Sequence, residues 1–360
     1  MPSRVAKFVT LDYPWPWLRQ TPSGDGVFGD TRFVFDRDLR DYDYLIVFNQ
    51  LPPDLHVRID PQRAIFVAAE PANIKRYDAT FLRQFGTVIT NDRDTPHPAR
   101  IFSQVGAPWH IGVPTGQLAR YGESLSFAQL ERLSGPKRKL VSVICSDKSD
   151  TPAHHRRLDF VAALRAHFGD RLDFFGRGLR DFEDKIEAIA PYRYHIALEN
   201  TDARDAWTEK IADPFLAETF PIYWGCRNLE DYVPAESFAR IPIDDDAAAI
   251  DAIERTIASD RAGSALEAVR EAKRRILFEH NIFALLDRTI AALALRAPAP
   301  RAAILFQSES VILARNIPLK TRIRARVRSA LARHPRIFSL ARTCYRQLAT
   351  IAGVRPEAQP

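Results

Sequence analysis

At 360 residues and 46% hydrophobic residues, the chain exceeds one ordinary domain and can bury two cores of about 150 residues each. The formal charge is +6, but eleven basic residues fall from Arg315 onward against the single carboxylate of Glu357, so a mildly acidic body carries a basic tail. Cys145, Cys226 and Cys344 form no C-x-x-C pair, the N-terminus lacks an apolar signal-like run, and no stretch approaches the roughly 20 apolar residues of a membrane span, which predicts a cytoplasmic protein without disulfide framework, zinc site or span.

Residues 5 to 115 alternate short apolar runs with turns. Ala6 to Leu11, Thr31 to Phe35, Tyr44 to Phe48, Ala64 to Ala68 and Thr87 to Thr90 have strand length, and Asp78 to Phe85 is amphipathic. The cluster Tyr13-Pro14-Trp15-Pro16-Trp17 follows the first strand, either as a loop for an acceptor or as a stiffened loop packed on the body. This first α/β domain covers 1–118, and a linker covers 119–139, where Gly135-Pro136-Lys137-Arg138-Lys139 has linker composition. A second α/β domain covers 140–300. It opens with a strand at Leu140 to Cys145, a helix from about Ala153 and a strand at Leu172 to Phe175.

The stretch Tyr194-His195-Ile196-Ala197-Leu198-Glu199-Asn200 to Pro221-Ile222-Tyr223-Trp224-Gly225 reads as one strand–helix–strand unit. Asp205 is a candidate N-cap, with Glu209 and Lys210 in the first turns of the helix. Polar residues thus crowd the carboxyl end of a strand, where open α/β sheets bind ligands. A helix N-terminus beside Lys210 suits a diphosphate, and Glu199 and Glu209 suit sugar or ribose hydroxyls. After Asp244-Asp245-Asp246, a polar turn capping a helix, the pattern turns helical at Ala247 to Ile257, Ser264 to Phe278 and Phe283 to Leu295, the last placed to cross back onto the first domain.

Leu198-Glu199-Asn200, Thr208-Glu209-Lys210, Pro221-Ile222-Tyr223-Trp224-Gly225 and Ser237-Phe238-Ala239-Arg240-Ile241-Pro242-Ile243-Asp244-Asp245 together resemble the donor-binding region of the alpha-1,3/4-fucosyltransferases, glycosyltransferase family 10. The likeness covers roughly 140 to 260. It implies a GT-B fold, two Rossmann-like α/β domains facing a cleft, here with a C-terminal helical tail. It also implies inverting transfer of fucose from GDP-fucose to a hydroxyl of N-acetylglucosamine or glucose in an oligosaccharide or glycolipid of a surface glycan. Arg157, in Arg157-Leu158-Asp159-Phe160, takes the diphosphate-binding place, with Arg156 as the alternative; arginine binds phosphate through two donors. Glu199, Asn200, Glu209 and Lys210 complete the donor set. Glu70, closing the strand of Ala64 to Ala69, is the candidate catalytic base, and a helix-capping carboxylate is its plain alternative. No cofactor is required on this reading, and a divalent cation, manganese or magnesium, would be stimulatory only. His154 and His155 lack partners at metal-ligand spacing.

Two departures bear on the donor. Ala206 stands where the family often has tyrosine, with Trp207 next to it, and Pro214 interrupts the helix after Lys210. The tail, 301–360, has apolar residues Ile323, Val327, Leu331, Ile337 and Leu340 near helical spacing among arginines, so 315–355 reads as a basic amphipathic segment for an anionic membrane surface, peripheral on the inner membrane. Nucleic acid is not expected as a partner. Another nucleotide-sugar donor, and a non-enzymatic module in which the tail binds nucleic acid or membrane, are the alternatives.

Overall fold

The computed structural model describes residues 2–11, 15–114, 123–145, 152–176 and 179–316. Residues Met1–Gln307 form one compact unit and Ser308–Pro360 a second. In the first unit the apolar runs become two parallel sheets. The N-terminal lobe contains β1 (Arg4–Val9), β2 (Val27–Phe28), β3 (Thr31–Val34), β4 (Tyr44–Phe48), β5 (Asp54–Ile59), β6 (Ala64–Val67), α1 (Ala79–Leu82), β7 (Thr87–Thr90) and β8 (Arg100–Phe102). Seven of these strands form a sheet in the order β2-β3-β1-β4-β6-β7-β8, parallel except for the β2–β3 pair. Every residue of β4, β6 and β7 is buried, as a strand covered on both faces requires, and this explains why β4 and β6 read as continuous apolar runs.

The C-terminal lobe follows α2 (Phe127–Glu131). It comprises β9 (Lys139–Ile144), α3 (Pro152–Phe168), β10 (Asp173–Phe175), α4 (Lys185–Ile189), β11 (Tyr192–Leu198), α5 (Glu209–Leu216), β12 (Phe220–Trp224), β13 (Ala239–Arg240), α6 (Asp246–Ala258), α7 (Arg261–Ser264) and α8 (Leu266–Phe278). Its five strands are all parallel, in the order β10-β9-β11-β12-β13. Loops from the carboxyl ends of the two sheets meet: Asn73, after β6, donates to the carbonyl of Asn200, after β11, and Arg93, after β7, pairs with Asp205. Two Rossmann-like sheets with their carboxyl edges turned toward one another are the GT-B arrangement.

The chain returns through α9 (Ile282–Ala294). Its Ile282, Phe283, Leu286, Ile290 and Leu293 lie in the core of the first sheet with Phe8, Phe33, Tyr44 and Ile65, so the last long helix belongs to the N-terminal lobe. A following strand, β14 (Ala302–Gln307), pairs antiparallel with β5 from Ala302 opposite Ile59 to Gln307 opposite Asp54. Residues 301–307, expected from the sequence to belong to the tail, thus join the first unit through this strand. Both strands of this ribbon are six residues long, but most of their side chains lie exposed or half-buried, unlike those of the central strands. Within the second unit, α10 (Glu309–Asn316) is described. The proposed amphipathic segment beyond it lies outside the described residues. No described helix is long and apolar enough to cross a membrane.

The described part of the segment read as a linker, 123–139, is packed. Phe127 and Leu130 of α2 enter the core of the second sheet, and the Lys137 ammonium donates to the carbonyls of Ala190 and Ala217 and to the Thr219 hydroxyl. The connector just before it, Trp109 to Gly112, has its polar backbone groups claimed from both sides. Arg19 of the first lobe donates to the carbonyls of Leu125, Trp109 and Ile111 at 2.8, 2.7 and 2.6 Å. Burial pushes the Arg19 pKa down to about 10, against the favourable charges of Asp213 and Asp184. Asp213 accepts from the amides of His110 and Ile111, and Asp184 from that of Gly112. Replacing Arg19 by methionine keeps the stem but strips three buried carbonyls of their donor. The substitution should lower the unfolding free energy by about 3 kcal/mol or more in urea titrations.

Candidate active site

The site is built around the end of β11. Glu199 leaves the strand buried, 1% exposed, over the end of β12. Gly225 makes this possible: at φ +153° it occupies a region L side chains avoid, and a Cβ there would lie 2.4 Å from Glu199 Cγ and 2.5 Å from the Tyr223 hydroxyl. Glu199 Oε1 accepts the Thr208 amide at 2.8 Å and its Oε2 the Thr208 hydroxyl at 2.6 Å. Burial raises the Glu199 pKa, and the Lys210 charge, 3.9 Å away, opposes that shift.

Thr208 is the N-cap of α5, its hydroxyl accepting the Lys210 amide at 3.3 Å. The cap is therefore not Asp205, which sits three residues earlier at φ +60°. Asp205 instead takes hydrogen bonds from Asn228 and Tyr232 and an ion pair from Arg93, so its carboxylate is spent on holding the loop rather than the helix. The helix runs through Pro214 for eight residues, so the proline forfeits one intrahelical bond without ending the helix.

At the first two helical positions, Glu209 and Lys210 continue a line of alternating charge. Lys210 Nζ lies 3.2 Å from Glu209 Oε1, the same oxygen lies 3.5 Å from Lys185 Nζ, and Lys185 reaches Asp213 Oδ2 at 2.9 Å. Burial alone would raise the Glu209 pKa, but Lys210 and Lys185 overcome it and hold the carboxyl well below its usual range. Burial would lower that of Lys185, and Asp213 and Glu209 raise it instead. Carboxylates thus match the lysines, with Glu209 between Lys185 and Lys210 and Asp213 on Lys185. Lys210 is the exposed member, its side chain 26% accessible.

Arg157, buried early in α3, donates through Nη1 to Asn200 Oδ1 at 2.5 Å. Arg156 points elsewhere, donating to Asp246 Oδ1 at 2.6 Å and to the carbonyl of Ile243. Asp245 N-caps α6 through the Ala248 amide at 3.0 Å, so the acidic triplet forms a helix start braced by Arg156. Of the two arginines, Arg157 therefore stands at the β11 edge. Because Glu199 and Asn200 are neighbours, they bring Lys210 and Arg157 to the same strand end.

From the other lobe, Glu70 lines a cavity of about 210 Å³ with Lys75, Arg76, Tyr77, Asp92 and Asp94. Among the described residues its carboxylate has no hydrogen-bond or ion-pair partner. Its loop reaches β11 through Asn73 Nδ2, 2.9 Å from the Asn200 carbonyl. Trp207 is buried edge-on against Tyr232 and His280, with ring centroids 5.7 and 6.4 Å away, and offers no open face for stacking on a nucleobase. Trp15 and Trp17 pack with the first-lobe core, while Tyr13 and Pro14 lie outside the described residues.

Sequence reasoning missed Lys185, Asp213 and His110. His110 contacts the Trp15 ring at 4.9 Å, and burial lowers its pKa against the opposing charge of Glu209. A capping pattern, Asp184-Lys185-Ile186-Glu187, was present before Lys185 and marks the helix start that places it. A lone histidine in a turn and an aspartate inside a short helix carry no such signal.

Residues 135–253 match the family model described as glycosyltransferase family 10 (fucosyltransferase), C-terminal part. A putative fucosyltransferase-like protein of Arabidopsis thaliana is 33% identical over 97 residues, 26% of this chain and 19% of that protein. The alpha-(1,3)-fucosyltransferase FucT of Helicobacter pylori is 28% identical over 120 residues, 29% of this chain and 25% of that one. The mouse 4-galactosyl-N-acetylglucosaminide 3-alpha-L-fucosyltransferase 9 is 29% identical over 110 residues, 29% of each chain. The chain therefore matches less than a third of the length of these relatives. A solved alpha1,3-fucosyltransferase structure superposes over 81% of this chain and 90% of that one, with 14% identity and a TM-score of 0.47.

Gly225→Ala should force Glu199 off Thr208. It should destabilise the protein by about 2 kcal/mol or more, and Thr208→Ala by about 1 kcal/mol through loss of the cap, both read from denaturant midpoints. Between pH 7 and 9 Glu209 stays ionised, Lys185 protonated and His110 neutral. The stability cost of Glu209→Gln, read from denaturant midpoints, should therefore change by less than about 0.5 kcal/mol across that interval.

Proposed function

We propose that the chain is an inverting glycosyltransferase that moves L-fucose from GDP-fucose to a hydroxyl of a glucose- or N-acetylglucosamine-containing glycan. The observation that carries this reading is the placement of Arg157 on Asn200 and of Lys210 beside Glu199 at one strand end, inside the family-matched segment, with the loop of Glu70 fastened to that same end. The names of the matched relatives supply fucose as the sugar.

In this reading Arg157 and Lys210 take the diphosphate, and Glu209, fixed between two lysines, and Asn200 take the polar groups of the nucleoside and sugar. Glu199 contributes by holding Thr208, and through it the first turn of α5. Glu70 accepts the proton of the acceptor hydroxyl as that oxygen bonds to the anomeric carbon from the face opposite the phosphate. The bond from that carbon to the phosphate oxygen breaks with its electron pair going to GDP, whose developing charge the two cations stabilise. Fixed side-chain charge suffices for this step, with a divalent cation as a stimulant of departure.

Calorimetry with GDP, GDP-fucose and UDP-sugars tests the donor. GDP and GDP-fucose should bind, UDP-sugars should not, and Lys210→Ala and Arg157→Ala should each weaken GDP by about tenfold or more. Glu70→Gln should leave the Kd for GDP within about twofold of the parent and reduce transfer by at least about a hundredfold. A UDP-sugar preference would replace the donor, and full turnover by Glu70→Gln would remove the base.

A further inference from the structure

We infer that Asn73 is a positioning residue for the reaction: its side-chain amide fastens the turn that carries Glu70 to the carbonyl of Asn200, the residue whose own side chain receives Arg157. The inference rests on the reading of Glu70 as base and of Arg157 as diphosphate contact.

Glu70 and Asn73 belong to one small turn. Pro71 fixes its own φ, and its carbonyl accepts the amides of Ile74 at 2.9 Å and Lys75 at 3.0 Å, closing the turn around Ala72 and Asn73. A tether at Asn73 therefore limits where Glu70 can stand. That tether is the bond from Asn73 Nδ2 to the Asn200 carbonyl, 2.9 Å, made across the cleft by an exposed residue. Asn200 is engaged twice: its carbonyl by the turn of the first lobe, its Oδ1 by Arg157 at 2.5 Å. One residue at the end of β11 thus sets the position of the base relative to the arginine that meets the leaving group.

The lobes have other ties. Arg93 pairs with Asp205, the Gln104 amide bonds the Tyr232 hydroxyl at 3.2 Å, and the connector is held by Arg19 and Asp213. Loss of the Asn73 amide should leave the fold and the lobe pairing in place and release the Glu70 turn alone. A carboxylate displaced by about 1 Å from its proton costs a reaction ten- to a hundredfold, while a nucleotide bound at the other lobe does not register the change.

The test uses the full chain and its Asn73→Ala, Asn73→Gln and Glu70→Gln variants, with GDP in calorimetry and release of GDP from GDP-fucose in the presence of N-acetylglucosamine. Asn73→Ala should lower kcat by about tenfold or more with KM for GDP-fucose and Kd for GDP within about twofold, and Asn73→Gln, which keeps a donor amide, should recover part of kcat. An unchanged kcat in Asn73→Ala beside an inactive Glu70→Gln would overturn the inference and leave the base reading standing. A fully active Glu70→Gln would overturn the base reading, and the inference with it. Loss of GDP binding in step with kcat in both Asn73 variants would make the residue part of the donor site and overturn a positioning role.

Discussion

A carboxylate with no solvent exposure, Asp213, holds the molecule's functional geometry in register. One of its oxygens takes the amides of His110 and Ile111 from the connector between the lobes, and the other takes the Lys185 ammonium. Two charges buried together contribute little net stability compared with apolar packing, because each was removed from water. What they supply is direction. A buried carboxylate with three donors around it has one acceptable position, and Asp213 is carried on the helix whose first turn presents Glu209 and Lys210. The connector that sets the lobes' relation and the helix that presents Glu209 and Lys210 are thus fixed by the same side chain.

The same reasoning extends to the strand end. Gly225 has no Cβ, so Glu199 can lie over β12; Glu199 there has both oxygens on Thr208; and Thr208 caps the helix that carries Lys210. Each step removes a freedom from the next. Lys210, with 26% of its side chain accessible, is the point at which this ordered chain meets solvent.

Much of this was legible in the sequence where burial imposes periodicity. The strands with both faces covered, β4, β6 and β12, announce themselves as continuous apolar runs, and the apolar face of α9 is regular over three turns. The strands β5 and β14 did not, because Asp54, His56 and Arg58 break the apolar run of β5 and both strands leave most of their side chains outside the core. The 119–139 segment reads as a linker by its Gly-Pro-Lys composition, yet Lys137 sends its ammonium onto two carbonyls and a hydroxyl, a use of lysine that composition does not reveal. Asp205 and Thr208 are both good cap residues by type. The choice between them depended on Asn228, Tyr232 and Arg93, which lie 112 or fewer positions away and claim Asp205 first. Glu70 and Lys210 follow from strand ends and motif spacing. Lys185 and Asp213 enter the site only through packing of α4 against α5.

The interleaving of carboxylates among the lysines has a consequence for how an anion would be received. A cluster of unpaired cations in the free protein would repel one another and adopt scattered rotamers, and a ligand would have to order them. Here Glu209 sits between Lys185 and Lys210, and its burial alone would favour the neutral acid, yet the two ammonium groups keep it charged. Lys210 is thereby oriented before any ligand arrives, at contacts of 3.2 to 3.9 Å that are long enough to be exchanged for a phosphate oxygen. Lys185 remains on Asp213 during such an exchange, so Glu209 does not lose its compensation. In the reaction proposed for this site, preorganised charge of this kind would stabilise a leaving diphosphate without reorganisation at the moment of bond breaking, since the field would already point to the place where negative charge develops.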